Sequence, residues 1–367
     1  MKKISLLLTL ALLLSLLSGC AGTPVVYYTD CTCPVSAHEV TSTEETVTDE
    51  PIVGEVVLAE GALKTGLAIA TGLGKSASAS AEAEGAADYD VTMVAVLVDE
   101  KGVIQDCVID GIASSVKFDA TGTITTDLTA APQTKNELGE NYGMAAWGGA
   151  VAEWDAQAAA LAAFAVGKTT EELRSGAIDE TGYAPEGTDL ATSATIYLGG
   201  YVSAIEAAVA NARLLGAEAG DSLKLVCTTD IASSASADAE NAGNAQLDAT
   251  AAAVTLRDGT ITSCAIDSVQ AKVAFDAEGN ITSDVSAPVQ TKNQLGENYG
   301  MVAWGGAIAE WDAQAAAFAS YITGMNAEGV SGISVTETTK PQEGTDLAAS
   351  CTIAIGGFQA LIAKAFR

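Results

Sequence analysis

The chain repeats itself, and this limits its architecture more than any other feature. Thr134 to Ala160 returns without a gap, 157 residues later, as Thr291 to Ala317, and only Glu137/Gln294, Ala145/Val302 and Val151/Ile308 differ among the 27 positions. The register extends beyond the block: Gly102 matches Gly259, Asp110 matches Asp267, Phe118-Asp119 matches Phe275-Asp276, and Glu186 to Ala191 matches Glu343 to Ala348. Two copies at so long a period predict a tandem pair of modules, residues 55–211 and 212–367, because solenoids repeat every ~20–50 residues. Each module is of ordinary domain size and is expected to bury its own core. Elsewhere the copies have drifted, as in Gly167–Pro185 against Gly324–Gln342, so the retained block reads as constrained.

The start of the chain reads as an export signal. Lys2 and Lys3 precede an apolar run from Ile4 to Leu17, which is followed by Leu17-Ser18-Gly19-Cys20. That run falls short of the roughly 20 residues needed to cross a bilayer. The tetrapeptide resembles the lipobox of bacterial lipoproteins, which implies that Cys20 becomes the first mature residue and carries lipid. The expected location is extracytoplasmic, anchored to a membrane through Cys20. Residues 21–54, rich in Thr, Glu, Val and Ser, read as a disordered tether. They hold Cys31, Cys33 and the single histidine, His38, which are too few ligands for a metal site. Export permits disulfides, yet Cys107 and Cys264 are equivalents inside strand-like runs and read as buried free thiols. Cys227 and Cys351 have Ala70 and Ala194 opposite them in the other copy, so a bridge essential to the fold is not expected there. A formal charge of −30 argues against nucleic acid and anionic lipid headgroups as ligands, and reads first as a solubility feature.

Within each module the pattern predicts an α+β fold, an antiparallel sheet with a central and a C-terminal helix. Val91–Val98 and Ala249–Leu256 read as strands that turn at Asp99-Glu-Lys-Gly and at Arg257-Asp-Gly into Val103–Ile109 and Thr260–Ile266. Lys117–Ile124 and Val273–Ile281 read as further hairpins; Asp276, Glu278 and Asn280 lack the spacing of a calcium loop and read as a turn. Lys135–Gly149, polar and glycine-rich, reads as loop. Ala150–Val166 reads as a helix with Trp154, Ala158, Leu161 and Ala165 on one face. Asp189–Leu198 and Asp346–Ile355 read as strands, and Tyr201–Leu214 and Phe358–Phe366 as closing helices.

No hydrolytic constellation recurs in both copies. A single histidine outside the repeat leaves no duplicated Ser-His-Asp or Cys-His arrangement, and neither a phosphate loop nor a dinucleotide fingerprint is present. The expectation is a protein with no catalytic residues of its own and no metal site.

One segment carries recognisable chemistry. Gln133-Thr134 and Leu138-Gly139 are followed by the Trp154–Gly167 helix and then by Asp189-Leu190-Ala191-Thr192-Ser193-Ala194-Thr195, matched in copy two by Asp346-Leu347-Ala348-Ala349-Ser350-Cys351-Thr352. In this order and motif the module resembles the FMN-binding domain family of bacterial surface and respiratory proteins. The resemblance covers roughly the last 120 residues of each module. It implies FMN as cofactor, linked through its phosphate to the Thr195 hydroxyl by a flavin transferase, with Thr192 and Asp189 in the motif. It also implies a redox partner for an electron carrier. Thr352, with Asp346, is the counterpart in copy two, where Ala349 and Cys351 depart from the pattern and make the likeness weaker. In both copies Ile196-Tyr197 and Ile353-Ala354 stand where small hydroxyl residues usually follow the threonine.

A hydroxyl just ahead of a helix suits a phosphoester, since free N–H groups and the positive end of the helix dipole lie nearby. A flat ring system needs an aromatic bed, for which Trp147 and Trp304 in the glycine-rich loop are the candidates. Trp154 and Trp311, at helical spacing from other apolar residues, read as core. The sequence thus supports two functions: a membrane-anchored electron-transfer flavoprotein, or a non-catalytic surface lipoprotein using the same fold to bind a small molecule, peptide or wall component.

Overall fold

The structure, a computed structural model, describes residues 61–367, of which all belong to one compact unit. The signal segment, Cys20, Cys31, Cys33, His38 and the tether lie outside the described residues. The fold is α+β with two antiparallel sheets. The first comprises β1 (Ala62–Gly72), β2 (Gly85–Val98), β3 (Ile104–Phe118) and β4 (Arg213–Glu218), in the order β3-β2-β1-β4. The second comprises β5 (Ser222–Asp230), β6 (Gly243–Arg257) and β7 (Thr260–Phe275), in sequence order. The boundary drawn after residue 211 is crossed by β4, which follows it yet pairs with β1.

Strand β2 shows how the layers arise. Ala87, Tyr89, Val91, Met93, Ala95 and Leu97 alternate onto one face, the apolar layer between the two sheets. Val94, Val96 and Val98 point the other way, onto the helices of the first copy. Both faces of the strand's second half are therefore covered, which is why its sequence is continuously apolar where a half-exposed strand would alternate. The helices that cover the first sheet are Trp154–Ala165 and Gly199–Asn211, and those over the second are Trp311–Ile322 and Gly356–Ala363. Each copy buries a helix-on-sheet core, and both contribute to a third core between the sheets. The expected pair of self-sufficient cores thus holds only for the outer layers.

The inter-sheet contact obeys the repeat. Phe118 and Phe275, equivalent residues, stack with ring centroids 4.1 Å apart and planes 1° from parallel. Ala79 N–H donates to Gly279 O and Ala237 N–H to Gly122 O, each at 2.8 Å. Ile124 N–H donates to Ser236 Oγ and Ile281 N–H to Ser78 Oγ, each at 2.9 Å. In this segment the second copy is one residue longer, so that Ser78-Ala79 matches Ser236-Ala237; exchange of the two copies then turns each bond into its partner, and the copies meet as a two-fold dimer would, through one self-complementary patch.

The turns follow their residues. Asp258 and Gly259, at φ 49° and 75°, form the two-residue link between β6 and β7 that suits the right-handed strand twist. The Asp276 carboxylate accepts from the N–H groups of Glu278 and Asn280, the turn expected in place of a calcium loop. Two expectations fail. Lys135–Gly149 is not loop: it forms the short helices Lys135–Leu138 and Met144–Gly148, with a 3-10 turn, Gly139–Tyr142, between them. Asp189–Leu198 is not a strand, because Asp189–Ser193 is a turn of helix capped by the Thr188 hydroxyl, and Leu347–Ala349 is a 3-10 turn in copy two.

Candidate ligand-binding site

The retained block is folded by its own side chains. Thr134 caps the Lys135–Leu138 helix, its hydroxyl accepting from Glu137 N–H while the Glu137 carboxylate accepts from Thr134 N–H. Asn136 fixes this turn to β3, its Nδ2 donating to Ile109 O at 2.9 Å and its N–H to Asp110 Oδ1 at 3.1 Å. Asn293 repeats both bonds at the same distances in copy two. Burial pushes the Asp110 carboxyl up, against the pull of these hydrogen bonds. The Met144–Gly148 helix runs between Gly143 and Gly149, both at positive φ, and the Glu153 carboxylate accepts from Met144 N–H at 2.8 Å and Ala145 N–H at 3.0 Å.

This construction carries Lys135 inward. Lys135 is only 5% exposed, and its ammonium lies 4.8 Å from the ring centroid of Trp154, 5.6 Å from that of Tyr142, and 3.6 Å from Asp90. Desolvation lowers its pKa, with Asp90 opposing. A cation on an aromatic face is attracted by the ring's quadrupole, which offsets part of the loss of water. Lys292 repeats the arrangement, 4.9 Å from Trp311 and 5.1 Å from Tyr299.

Behind them, Gln157 is fully buried and joins three segments. Its Nε2 donates to Ala152 O at 2.8 Å. Its Oε1 accepts from Thr195 N–H at 2.8 Å, Ile196 N–H at 3.2 Å and the Thr195 hydroxyl at 3.3 Å. Gln314 does the same for Ala309 O, Thr352 N–H and the Thr352 hydroxyl. A retained glutamine thus sets the position of the threonine in each copy.

In copy one these groups surround a cavity of about 610 Å³, lined by Lys135, Tyr142, Met144, Trp154, Ile196, Tyr197, Gly200 and Tyr201, with Asp90 and Ala113 at the strand side. Its size is that of a small-molecule pocket; Tyr142, Trp154, Tyr197 and Tyr201 supply aromatic wall, and Lys75, Thr71 and Thr92 add polar groups on the strand side. Trp154 Nε1 donates to the Tyr201 hydroxyl at 3.0 Å, which leaves both rings fixed edge to face. Thr195 is exposed beside it, one residue before the lining Ile196 and four before the Gly199–Asn211 helix, whose first turn has no side-chain cap. A larger cleft of about 1040 Å³ lies away from Thr195, between Asn211–Leu215 and the Trp311–Ile322 helix.

The expected site residues therefore divide. Thr195 and Thr192 lie on one turn system with Asp189, whose carbonyl accepts from the Thr192 hydroxyl; only Thr195 adjoins the cavity wall. Thr352 and Asp346 hold the matching places in copy two. Trp147 and Trp304, expected to bed a ring, are 91% and 90% exposed, and Trp147 does not line the cavity. Trp154 is 1% exposed, as its reading as core requires, and reaches the cavity wall together with Tyr142, Tyr197 and Tyr201. The sequence reading also missed Lys135 and Gln157. Their identity in both copies was the available signal. Among the described residues no cluster of His, Cys, Asp and Glu could hold a metal ion. No protein-family model matches the chain, and neither a characterised protein nor a solved structure does.

Proposed function

We propose that the protein is an extracytoplasmic, lipid-anchored flavin carrier whose cofactor site is the aromatic cavity of copy one. The observation that carries this reading is the adjacency of an exposed threonine hydroxyl, Thr195, to a cavity walled by Trp154, Tyr142, Tyr197 and Tyr201. The residues fit FMN. The Thr195 hydroxyl sits at 3.3 Å from Gln157 Oε1, a long hydrogen bond that an ester would give up at little cost, while the backbone bond to the same oxygen would keep the turn in place. The Gly199 N–H is taken by Gly182 O, but the next two N–H groups of that uncapped first turn, of Gly200 and Tyr201, and its positive dipole end are open to a phosphate. The aromatic walls and the Met144 side chain exclude water from a ring system, and Lys135 holds positive charge at the cavity's base. When bound, the flavin supplies the electron transfer; the protein supplies position, dryness and electrostatic bias. The chain's acidity favours a redox partner with a basic face and disfavours nucleic acid.

Coexpression with a flavin transferase tests the proposal. A gain of FMN mass that disappears in Thr195→Val, with visible flavin absorbance, is expected. Neither added mass nor reversible FMN binding in the intact chain would dispose of it. One observation favours the non-catalytic binding alternative: Trp147 and Trp304 stand exposed in both copies beside Val151 and Ile308, as contact residues for a surface partner would. Under that reading Trp147→Ala with Trp304→Ala abolishes adhesion of the protein to intact cells or wall fragments and leaves FMN binding unchanged.

A further inference from the structure

The two copies differ at the cavity in a way that speaks to the ligand. Ala113 is the cross-strand neighbour of Asp90, and Gln270 occupies the same place beside Asp248. In copy two the Tyr299 hydroxyl donates to Gln270 Oε1 at 3.0 Å, and the same tyrosine ring lies 5.1 Å from the Lys292 ammonium. In copy one the matching tyrosine, Tyr142, lines the cavity together with Ala113, whose methyl group offers its hydroxyl nothing to bond. The walls differ as well, since Tyr201 and Tyr197 are matched by Phe358 and Ala354, which carry no hydroxyl. Copy two thus carries inside itself a carboxamide, held by a tyrosine hydroxyl beside a lysine and a tryptophan, where copy one has open space.

We infer that Gln270 is a built-in substitute for the ligand: each chain takes one ligand, in copy one, and that ligand turns the carbonyl of an amide- or imide-type edge toward Tyr142. The inference rests on the flavin reading, for the pyrimidine end of a flavin is an edge of this type, and it adds which edge faces inward and how many cofactors a chain holds. A carboxamide is a good stand-in because its oxygen is a planar acceptor and its nitrogen continues the same plane, as in a cyclic imide. The retained tyrosine then has one partner in both copies, internal in one and supplied by the ligand in the other. Copy two keeps the Gln314–Thr352 turn because the fold needs it, while Gln270 takes the place beside its tyrosine.

Titration of the intact chain with free FMN, followed by quenching of flavin fluorescence, tests this. The wild-type chain is expected to bind one equivalent. Ala113→Gln fills the open site and weakens binding by about tenfold or more, while Gln270→Ala adds a second equivalent. Tyr142→Phe weakens FMN by about threefold to tenfold, the worth of one hydrogen bond, and leaves phenazine, a flat tricycle without carbonyls, unaffected. Two equivalents on the wild-type chain, or an Ala113→Gln variant that keeps its FMN affinity within about twofold, would overturn the inference and leave the flavin reading standing. No binding of free FMN would remove the inference, and the flavin reading falls with it only where coexpression with a flavin transferase also adds no FMN mass. Position 270 shows that the strand accepts glutamine, so unchanged circular dichroism is expected for Ala113→Gln, and the count in Gln270→Ala is an independent measurement.

Discussion

Gln157→Leu should be the most informative single substitution, because leucine keeps the volume and removes every polar contact. Three groups lose a partner: Thr195 N–H, Ile196 N–H and Ala152 C=O, previously bonded at 2.8, 3.2 and 2.8 Å. An orphaned buried polar group costs ~1–3 kcal/mol, and Thr195 is near enough to solvent to put each at the low end, giving about 3 kcal/mol in total. The repeat supplies a control. Gln314 takes the Thr352 N–H and hydroxyl and donates to Ala309 O, with no bond from Ile353 N–H among the described residues, so Gln314→Leu should cost about 2 kcal/mol. Urea unfolding followed by circular dichroism measures both, and the shared inter-sheet core predicts a single transition. By melting temperature the larger loss corresponds to roughly 6 °C for a chain of this size. A Gln157→Leu variant within about 0.5 kcal/mol of wild type, or one less damaged than Gln314→Leu, would refute the reasoning.

Other consequences follow from the same geometry. Cys107, Cys227, Cys264 and Cys351 are buried free thiols, and burial pushes the first three up to about 12, so in a variant with Cys20→Ser, Cys31→Ser and Cys33→Ser these four should react negligibly with a thiol reagent at neutral pH in the native state and all be released on unfolding. Glu153→Ala frees Met144 and Ala145 N–H and should cost about 1 kcal/mol, concentrated in faster amide exchange over Met144–Gly148. Glu137→Gln removes the 2.7 Å pair with Lys364. Burial works against the Glu137 carboxylate, yet the Lys364 bond leads the forces that bring its pKa below the usual value. The stability it adds is therefore present above the unfolded carboxylate pKa and lost as pH falls through the lower folded one. The variant should accordingly lose a few tenths of a kcal/mol near neutrality and nothing in acid, where wild type has already lost the same amount.

What the sequence made legible depended on how local the cause was. The β2–β3 and β6–β7 hairpins and the Trp154 helix follow from alternation and from a helical stripe, and the structure buries Trp154, Ala158, Leu161 and Ala165 as that stripe requires. Strand β1 went unread because Ala62–Gly72 is built mostly of Ala, Gly, Thr and Leu, with Ile69 its one bulky β-branched residue, and owes its state to pairing with β2 on one side and β4 on the other. Asp189–Leu198 misled for the opposite reason. Thr192, Thr195, Ile196 and Tyr197 favour strand locally, but the Thr188 cap and the distant Gln157 fix the segment as a helical turn and a bend. The short helices of Lys135–Gly149 contain too few residues for any periodicity. Lys135 itself reads in the sequence only as the start of a polar loop, since its tryptophan is on the next helix and its carboxylate, Asp90, on a strand far earlier in the chain.

The three differences inside the retained block now have unequal meanings. Glu137/Gln294 is explained by the partner: Glu137 meets Lys364, at the end of the copy-two closing helix, whereas the residue equivalent to Lys364 in copy one is Ala207, which leaves position 294 no cation to match. Ala145/Val302 and Val151/Ile308 lie on the surface beside the outward tryptophans and exchange one apolar residue for a larger one. Change at the block thus falls where the copies face different neighbours or solvent, while Lys135, Asn136, Tyr142, Glu153, Trp154 and Gln157, which fold the turn and hold the threonine, do not vary. Those six recur in both copies, whichever residue stands beside the tyrosine. Ligand competence must therefore be decided by residues outside the block, at Ala113/Gln270, Tyr197/Ala354 and Tyr201/Phe358, and it is there that substitution should move binding without moving the fold.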